Sequence, residues 1–490
     1  MKTPKTPSLL EALLPVMILI VLLTGSVFLF GSDAIGGATQ IVLIVAAAVA
    51  AIIAVRNGHR WRDIERAIVA GIGTAMGAIL ILLAVGALIG AWLLAGTVPA
   101  MIYYGLQLLH PHFFFAATCL ICAVASLSIG SSWTVAGTLG VGLIGVAMGF
   151  GLSPEITAGA VVSGAYFGDK MSPLSDSTNL APAVAGTDLF THIRHMVWTT
   201  GPSFLIALLL FTIIGLRGTT DVDASALHEM TDTLSAAFHI TPIALIPLLV
   251  VFIMAMRKFP PLPTILTGAL VGGIVAVLLQ GNVVLALADS AEISNFLGLA
   301  KGVWIALANG YVAATGVVAV DDLLTRGGMS SMLTTIWLII CALSFGAVLE
   351  HAGMLERLIR AALRAAHSTG ALIFTTAVTC IGANIVAADQ YISIVLPGRM
   401  FKAEFRRRGL DPRNLSRVIE DCGTLTSPLV PWNTCGAYMA ATLGVATFAY
   451  LPFAFFNLIN PVVSVLYGAF GITITKLPPD TDTETEEVAA

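Results

Sequence analysis

Gly168-Asp169-Lys170-Met171-Ser172-Pro173-Leu174-Ser175-Asp176-Ser177-Thr178-Asn179 is a polar stretch with apolar segments on both sides. It holds two Asp, three Ser, a Thr and an Asn within twelve residues. Pro173 removes a backbone donor, and the small polar side chains compete for backbone groups, so a helix must break here. From residue 67 to 190 only five side chains are charged, Glu155, Asp169, Lys170, Asp176 and Asp188, and three of the five fall in this stretch.

The surroundings decide what that break means. Of 490 residues, 57% are hydrophobic and 11% charged, against about 25% charged in a soluble domain. Mean hydropathy is +0.93. Many apolar runs exceed the ~18 residues that cross a bilayer as helix, and they are apolar all round rather than alternating as barrel strands do. The chain therefore reads as an all-α polytopic membrane protein with roughly eleven to fourteen crossings, at ~20 residues per crossing plus loops. This excludes a soluble enzyme, a nucleic-acid binder and a secreted disulfide scaffold. A net charge of −4 gives no basic field for a polyanion. The six cysteines lie in or beside apolar runs. Cys119 and Cys122 form a C-x-x-C with no second pair or His cluster, so they read as packing residues and no transition-metal site is expected. The N-terminal run, 9–30, is too long for a signal-peptide core and reads as the first crossing.

A second copy of the pattern follows at an offset of about 257 residues. Ala95-Gly96 maps to Ala352-Gly353, His110 to His367, and Gly151-Leu-Ser-Pro154 to Gly409-Leu-Asp-Pro412. With a three-residue deletion, Ser172-Pro-Leu174 maps to Ser427-Pro-Leu429. Equivalent loops carry opposite charge. Residues 399–417 hold seven Lys or Arg, while their counterpart, 142–160, has Glu155 alone. The Arg-rich 56–66 loop maps onto 313–323, which has two Asp and no cation. By the positive-inside rule such loops lie on opposite sides, the signature of inverted-topology repeats in secondary transporters. The expected divisions are an N-terminal hairpin and cytoplasmic loop (1–66), a first repeat (67–216), a linking region (217–323), a second repeat (324–475) and a disordered acidic tail (476–490). The N-terminus is expected in the cytoplasm. Inversion needs an odd number of crossings between the repeats, and the 299–320 segment decides that count: it either spans or re-enters.

The second repeat carries its own break, Glu420-Asp421-Cys-Gly-Thr-Leu-Thr-Ser-Pro-Leu-Val-Pro-Trp-Asn433-Thr434, and each half has another, at Ser126–Thr134 and at 383–391 with Asp389 and Gln390. Paired interrupted helices point to a binding site at the membrane midplane. Ionisable groups there are costly and so mark function. The oxygen-rich lining suits a small hard cation. Desolvation disfavours the charged form of a carboxylate, so one group can hold a proton and a cation in turn. The candidate cation- and proton-binding residues are Asp176, Asp421, Asp389, Asp169 and Glu420. Ser172, Ser175, Ser177, Thr178, Asn179, Thr424, Ser427, Asn433 and Thr434 are candidate oxygen ligands. Bland alternatives stand beside these. Asp169 and Lys170 can form a hydrated pair, Glu420 can pair with Arg417, and Asp321-Asp322 can cap a loop. His192 and His195, flanking Arg194, read as interfacial rather than metal-binding.

These motifs resemble the NhaC-type sodium/proton antiporter family, within the broader ion-transporter superfamily. The similarity runs through Ser163-Gly-Ala-Tyr-Phe-Gly-Asp-Lys-Met-Ser-Pro-Leu-Ser-Asp-Ser-Thr-Asn-Leu-Ala-Pro182 and Gly186–His195. It continues at Thr325–Met329, Ala388–Tyr391, Leu396–Phe401, Asn414–Arg417 and Glu420–Met439. The resemblance implies Na⁺/H⁺ exchange in a bacterial inner membrane, re-entrant hairpins within the inverted repeats, and a homodimer. It implies no cofactor, only the transported Na⁺ and H⁺ in the lipid bilayer. The same family includes relatives of malate/lactate–sodium antiporters, so a Na⁺- or H⁺-coupled carrier of a small organic acid or amino acid is the alternative. A channel fits paired breaks poorly, since it needs a continuous pore. No H-E-x-x-H zinc motif supports a membrane enzyme.

Overall fold

The computed structural model describes residues 4–218, 224–289, 294–364 and 366–477. Among them the regular structure is helical, with only two isolated β-bridges, as it must be where lipid offers backbone groups no partners. Among the described residues, nine helices are long and apolar enough to cross a membrane, or eleven if two pairs, each bent by 88°, count as one span apiece. Eleven is the lower end of the expected range, and nine falls below it.

Two groups of helices pack into layers. Leu9–Phe30, Ala38–Arg56, Met76–Leu94, Pro261–Leu279 and Leu333–His351 form one. Phe114–Ile129, Pro154–Met171, Leu189–Gly218, Thr369–Val386 and Phe455–Phe470 form the other. Within the second group, Pro154–Met171 lies unusually close to Phe114–Ile129. A Cβ on Gly164 would stand 2.1 Å from the Cys119 carbonyl oxygen, and one on Gly168 2.3 Å from that of Ala123. This is the small-residue close approach of membrane helices. Cys119 and Cys122, both fully buried, sit at this contact, the Cys122 Cβ 3.0 Å from the same position on Gly164.

The repeat is visible residue by residue in the backbone. Positive φ recurs at Gly96 (76°) and Gly353 (68°), Gly130 (75°) and Ala388 (57°), Gly151 (69°) and Gly409 (67°), and Gly186 (89°) and Gly444 (70°). Each pair is 257 or 258 positions apart. Helix N-caps follow the same register: Ser131 with Asp389, Ser153 with Asp411, Ser175 with Asn433. The register holds through the second break, so the three-residue deletion inferred from the two Ser-Pro-Leu triplets is wrong. Ser172 corresponds to Val430, Asp169 to Ser427, and Asp176 to Thr434. The triplets resemble each other because both end helices, not because they are equivalent.

Of the two readings left open for the 299–320 segment, a single span does not hold: Asn295–Asn309 ends at Gly310 (φ 92°), and a short helix, Val318–Leu324, follows. Asp321 closes the turn between them, accepting from Thr315 N and Oγ1 at 2.7 Å each and from Gly316 N at 3.2 Å. Of the expected tail, 476–490, the first two residues are described. Leu477 N donates to Gly409 O at 2.8 Å, and Lys476 bridges Leu410. Residues 478–490 lie outside the described residues.

Candidate functional site

Four helix breaks meet at one cavity of about 590 Å³. They are Gly130–Ser131, 172–175, 387–389 and the turn before Thr434. Direct bonds join them. Ser132 N and Oγ donate to Asp169 Oδ2 at 3.1 and 2.7 Å. Thr434 N donates to Ala388 O at 3.0 Å. Tyr438 stacks on Trp133, ring centroids 4.0 Å apart, and donates to its carbonyl at 2.8 Å. The opposite wall comes from the other helix layer, at Thr74–Ala78 and at Lys258–Pro261.

Three of the five candidate carboxylates line this cavity: Asp169, Asp176 and Asp389. Asp169 is nearly buried and held by Ser132. Asp389 caps its own helix, accepting from Ile392 N at 2.9 Å. Asp176 opens the Asp176–Ala185 helix with an exposed side chain, and among the described residues its carboxylate accepts no hydrogen bond. Lys258 is the only Lys or Arg in the lining.

Glu420 and Asp421 are elsewhere. Both are fully buried behind the cavity wall, on a π-helical turn, Glu420–Thr424. Such turns recur at functional sites. Asp421 is ion-paired with Lys170 and accepts from Asn460 Nδ2 at 2.8 Å and Thr199 Oγ1 at 3.3 Å. Lys170 therefore does not pair with its neighbour Asp169. Glu420 does not hydrogen-bond Arg417. Its Oε1 accepts from Ser177 Oγ at 3.0 Å, and its Oε2 is buried without a hydrogen-bond partner. Since Ser177 lines the cavity, it connects the two compartments.

The candidate oxygen ligands divide in the same way. Ser175, Ser177 and Thr434 line the cavity. Ser172 caps Leu174 N at 3.3 Å, and Thr178 donates to the carbonyls of Asp169 and Lys170. Asn179 bonds the carbonyls of Pro173 and Ser175. Ser427 donates to Gln390 Oε1 at 2.8 Å, and Asn433 to Asn384. Thr424 is fully buried away from the cavity. These five residues and Thr424 shape the breaks rather than face the space between them. The sequence reading missed Ser132 and Gln390 as site residues, although they are the same position in the two repeats. Their signal was the 258-residue register, not their chemistry.

Residues 164–472 match the Na+/H+ antiporter family model. The chain is 40% identical over 437 residues to the Na(+)/H(+) antiporter NhaC of Alkalihalophilus pseudofirmus, covering 89% of this chain and 91% of that one. It is 39% identical to an uncharacterized Na(+)/H(+) antiporter of Haemophilus influenzae, covering 96% and 98%. It is 38% identical to the Malate-2H(+)/Na(+)-lactate antiporter of Bacillus subtilis, covering 88% and 89%.

Proposed function

We propose that this chain, which belongs to the Na+/H+ antiporter family, exchanges Na⁺ for H⁺ across a bacterial inner membrane by competition for carboxylates where its broken helices meet. The observation that carries this reading is the convergence of four breaks from two repeats on a cavity lined by Asp169, Asp176 and Asp389. Carboxylate and hydroxyl oxygens are what a dehydrated Na⁺ requires. Protonating the same carboxylates removes the charge that holds the ion, so only one cargo is bound at a time. Glu420 receives protons from the cavity through Ser177, while the Lys170–Asp421 ion pair fixes the π-helical turn beneath them. Opposed orientation of the repeats lets the site face each side in turn by moving one helix layer against the other. The cavity wall made by both layers supports that motion.

A second reading adds a small organic acid, as in the Bacillus subtilis malate/lactate antiporter. Its support is volume. About 590 Å³ is far more than one ion needs, and falls among small-molecule sites, about 300–1,000 Å³. Lys258 would be the counter-ion for the substrate carboxylate.

Proteoliposomes holding a trapped pH dye separate the two. Na⁺ alone should drive proton movement, and Asp169→Asn and Asp176→Asn should each abolish it. Absence of flux until malate, lactate or an amino acid is supplied overturns the simple exchanger in favour of the solute carrier.

A further inference from the structure

A second cavity, of about 370 Å³, lies apart from the first and is lined by Thr191, Arg194, His195, Trp198, Arg413, Thr473 and Thr475. It joins the start of the Leu189–Gly218 helix to the Pro412–Ile419 helix and to the segment at Thr473 and Thr475. Two of its walls are guanidinium groups. A third, Arg417, is fully buried behind it and donates Nη1 to Thr473 Oγ1 at 2.8 Å, leaving Nε and Nη2 without hydrogen-bond partners. His195 is 7% exposed, and its Nε2 is buried and unpartnered. Three threonines add hydroxyl groups. The anionic groups nearby are Asp411, 3.0 Å from Arg413 Nε, Asp188, which caps Thr191 N at 2.9 Å, and the buried Asp421, whose charge acts on Arg417 and His195 but is already paired with Lys170. They offset part of the positive charge, and Arg194 and Arg417 have no ion-pair partner among the described residues.

The position in the membrane is also specific. The Leu189–Gly218 helix has 30 residues, about 45 Å at 1.5 Å per residue. The hydrocarbon core is ~30 Å thick, so its first turns reach the headgroup layer. Trp198, 58% exposed, stands there as interfacial tryptophans do. Lys402 and Arg406 flank the same end, beside Gly186.

We propose that this cavity binds a phosphate group, as carried by an anionic lipid headgroup or by free phosphate. Arginine forks match phosphate oxygens, and basic pockets between membrane helices take lipid headgroups. The site serves neither Na⁺ nor H⁺, so it stands or falls independently of the exchange reading.

The test uses the full chain in nanodiscs of phosphatidylcholine alone, of phosphatidylcholine with phosphatidylglycerol, and of phosphatidylcholine with added inorganic phosphate. Retained lipid is read by native mass spectrometry and stability by thermal unfolding. Each arginine near a charged surface is worth roughly fivefold in binding. Arg194→Gln should weaken phosphatidylglycerol retention about fivefold, and Arg194→Gln with Arg413→Gln about 25-fold. Arg217→Gln, at the far end of the same helix, should change nothing. Arg194 is exposed, so its single variant tests the site even if loss of the Arg413–Asp411 pair prevents folding. A stabilisation by inorganic phosphate that Arg194→Gln removes assigns the soluble ion; a response to phosphatidylglycerol alone assigns the headgroup. Equal retention of both lipids, or undiminished phosphatidylglycerol retention in Arg194→Gln, overturns the proposal when inorganic phosphate also gives no stabilisation that Arg194→Gln removes.

Discussion

Lys170 of the first repeat is ion-paired with Asp421 of the second, and neither side chain is exposed at all. The bond ties the helix that ends at the first break to the π-helical turn that precedes the second. A buried pair gains little over a well-packed apolar pair, but losing one member strands a charge at a cost of about 3–5 kcal/mol. Asn460 and Thr199 each donate a further hydrogen bond to the same carboxylate oxygen.

Lys170→Met should therefore lower stability by about 3–5 kcal/mol, and Lys170→Met with Asp421→Asn should recover part of it. Thermal unfolding of purified protein measures both. A double variant no more stable than the single one would show that the pair is not what the turn depends on.

Ser132 makes two hydrogen bonds to Asp169, while its repeat partner Gln390 meets Ser427 through a similar bond of 2.8 Å. The first involves a carboxylate and the second does not. Hydrogen bonds to charged groups are worth about 1.5–3 kcal/mol, neutral ones about 0.5–1.5. Ser132→Ala should raise the Na⁺ concentration for half-maximal exchange roughly tenfold or more, and Gln390→Ala less. Initial rates of proton flux against Na⁺ compare them, and equal effects would remove Asp169 from the site.

Gly168 has no room for a side chain: a Cβ would lie 2.3 Å from the Ala123 carbonyl oxygen and 2.5 Å from Leu127 N. Both are backbone atoms, so the helices must separate. Overpacking of this kind costs about 1–3 kcal/mol, and separation pulls Asp169 from Ser132. Gly168→Ala should reduce both melting temperature and Na⁺-driven flux. Gly73→Ala, with nothing within 4 Å of its Cβ and a helical backbone that alanine favours, serves as the control and should lower neither.

His59, in the loop between Ala38–Arg56 and Trp61–Thr74, lies edge-on to His351 with ring centroids 5.1 Å apart. Burial lowers its pKa and His351 lowers it further, with Asp63 opposing. The unfolded chain then binds more protons just below pH ~6.5 than the folded chain does. The stabilising effect is full above that pH and is lost as pH falls toward the lowered folded value. Melting temperature should fall with acidity in this window, and His59→Gln should flatten the dependence. An unchanged slope in the variant would assign it to other groups.

Apolar run lengths alone determined that this chain is a bundle of membrane helices, because each span must satisfy its own backbone within lipid. Sequence also determined that the chain repeats and where its helices break, since Gly, Pro and small polar residues act locally. It could not determine which polar residues share a cavity. Asp169 and Lys170 are neighbours in sequence, yet successive helix positions do not face each other: one turns to Ser132 and the cavity, the other to Asp421 behind it. Glu420 and Asp421 match the first motif by composition, yet the constant register sets them opposite Val162 and Ser163. Only the close approach at Gly164 and Gly168, and the meeting of breaks some 258 residues apart, decided which carboxylates line the open space and which are sealed beneath it.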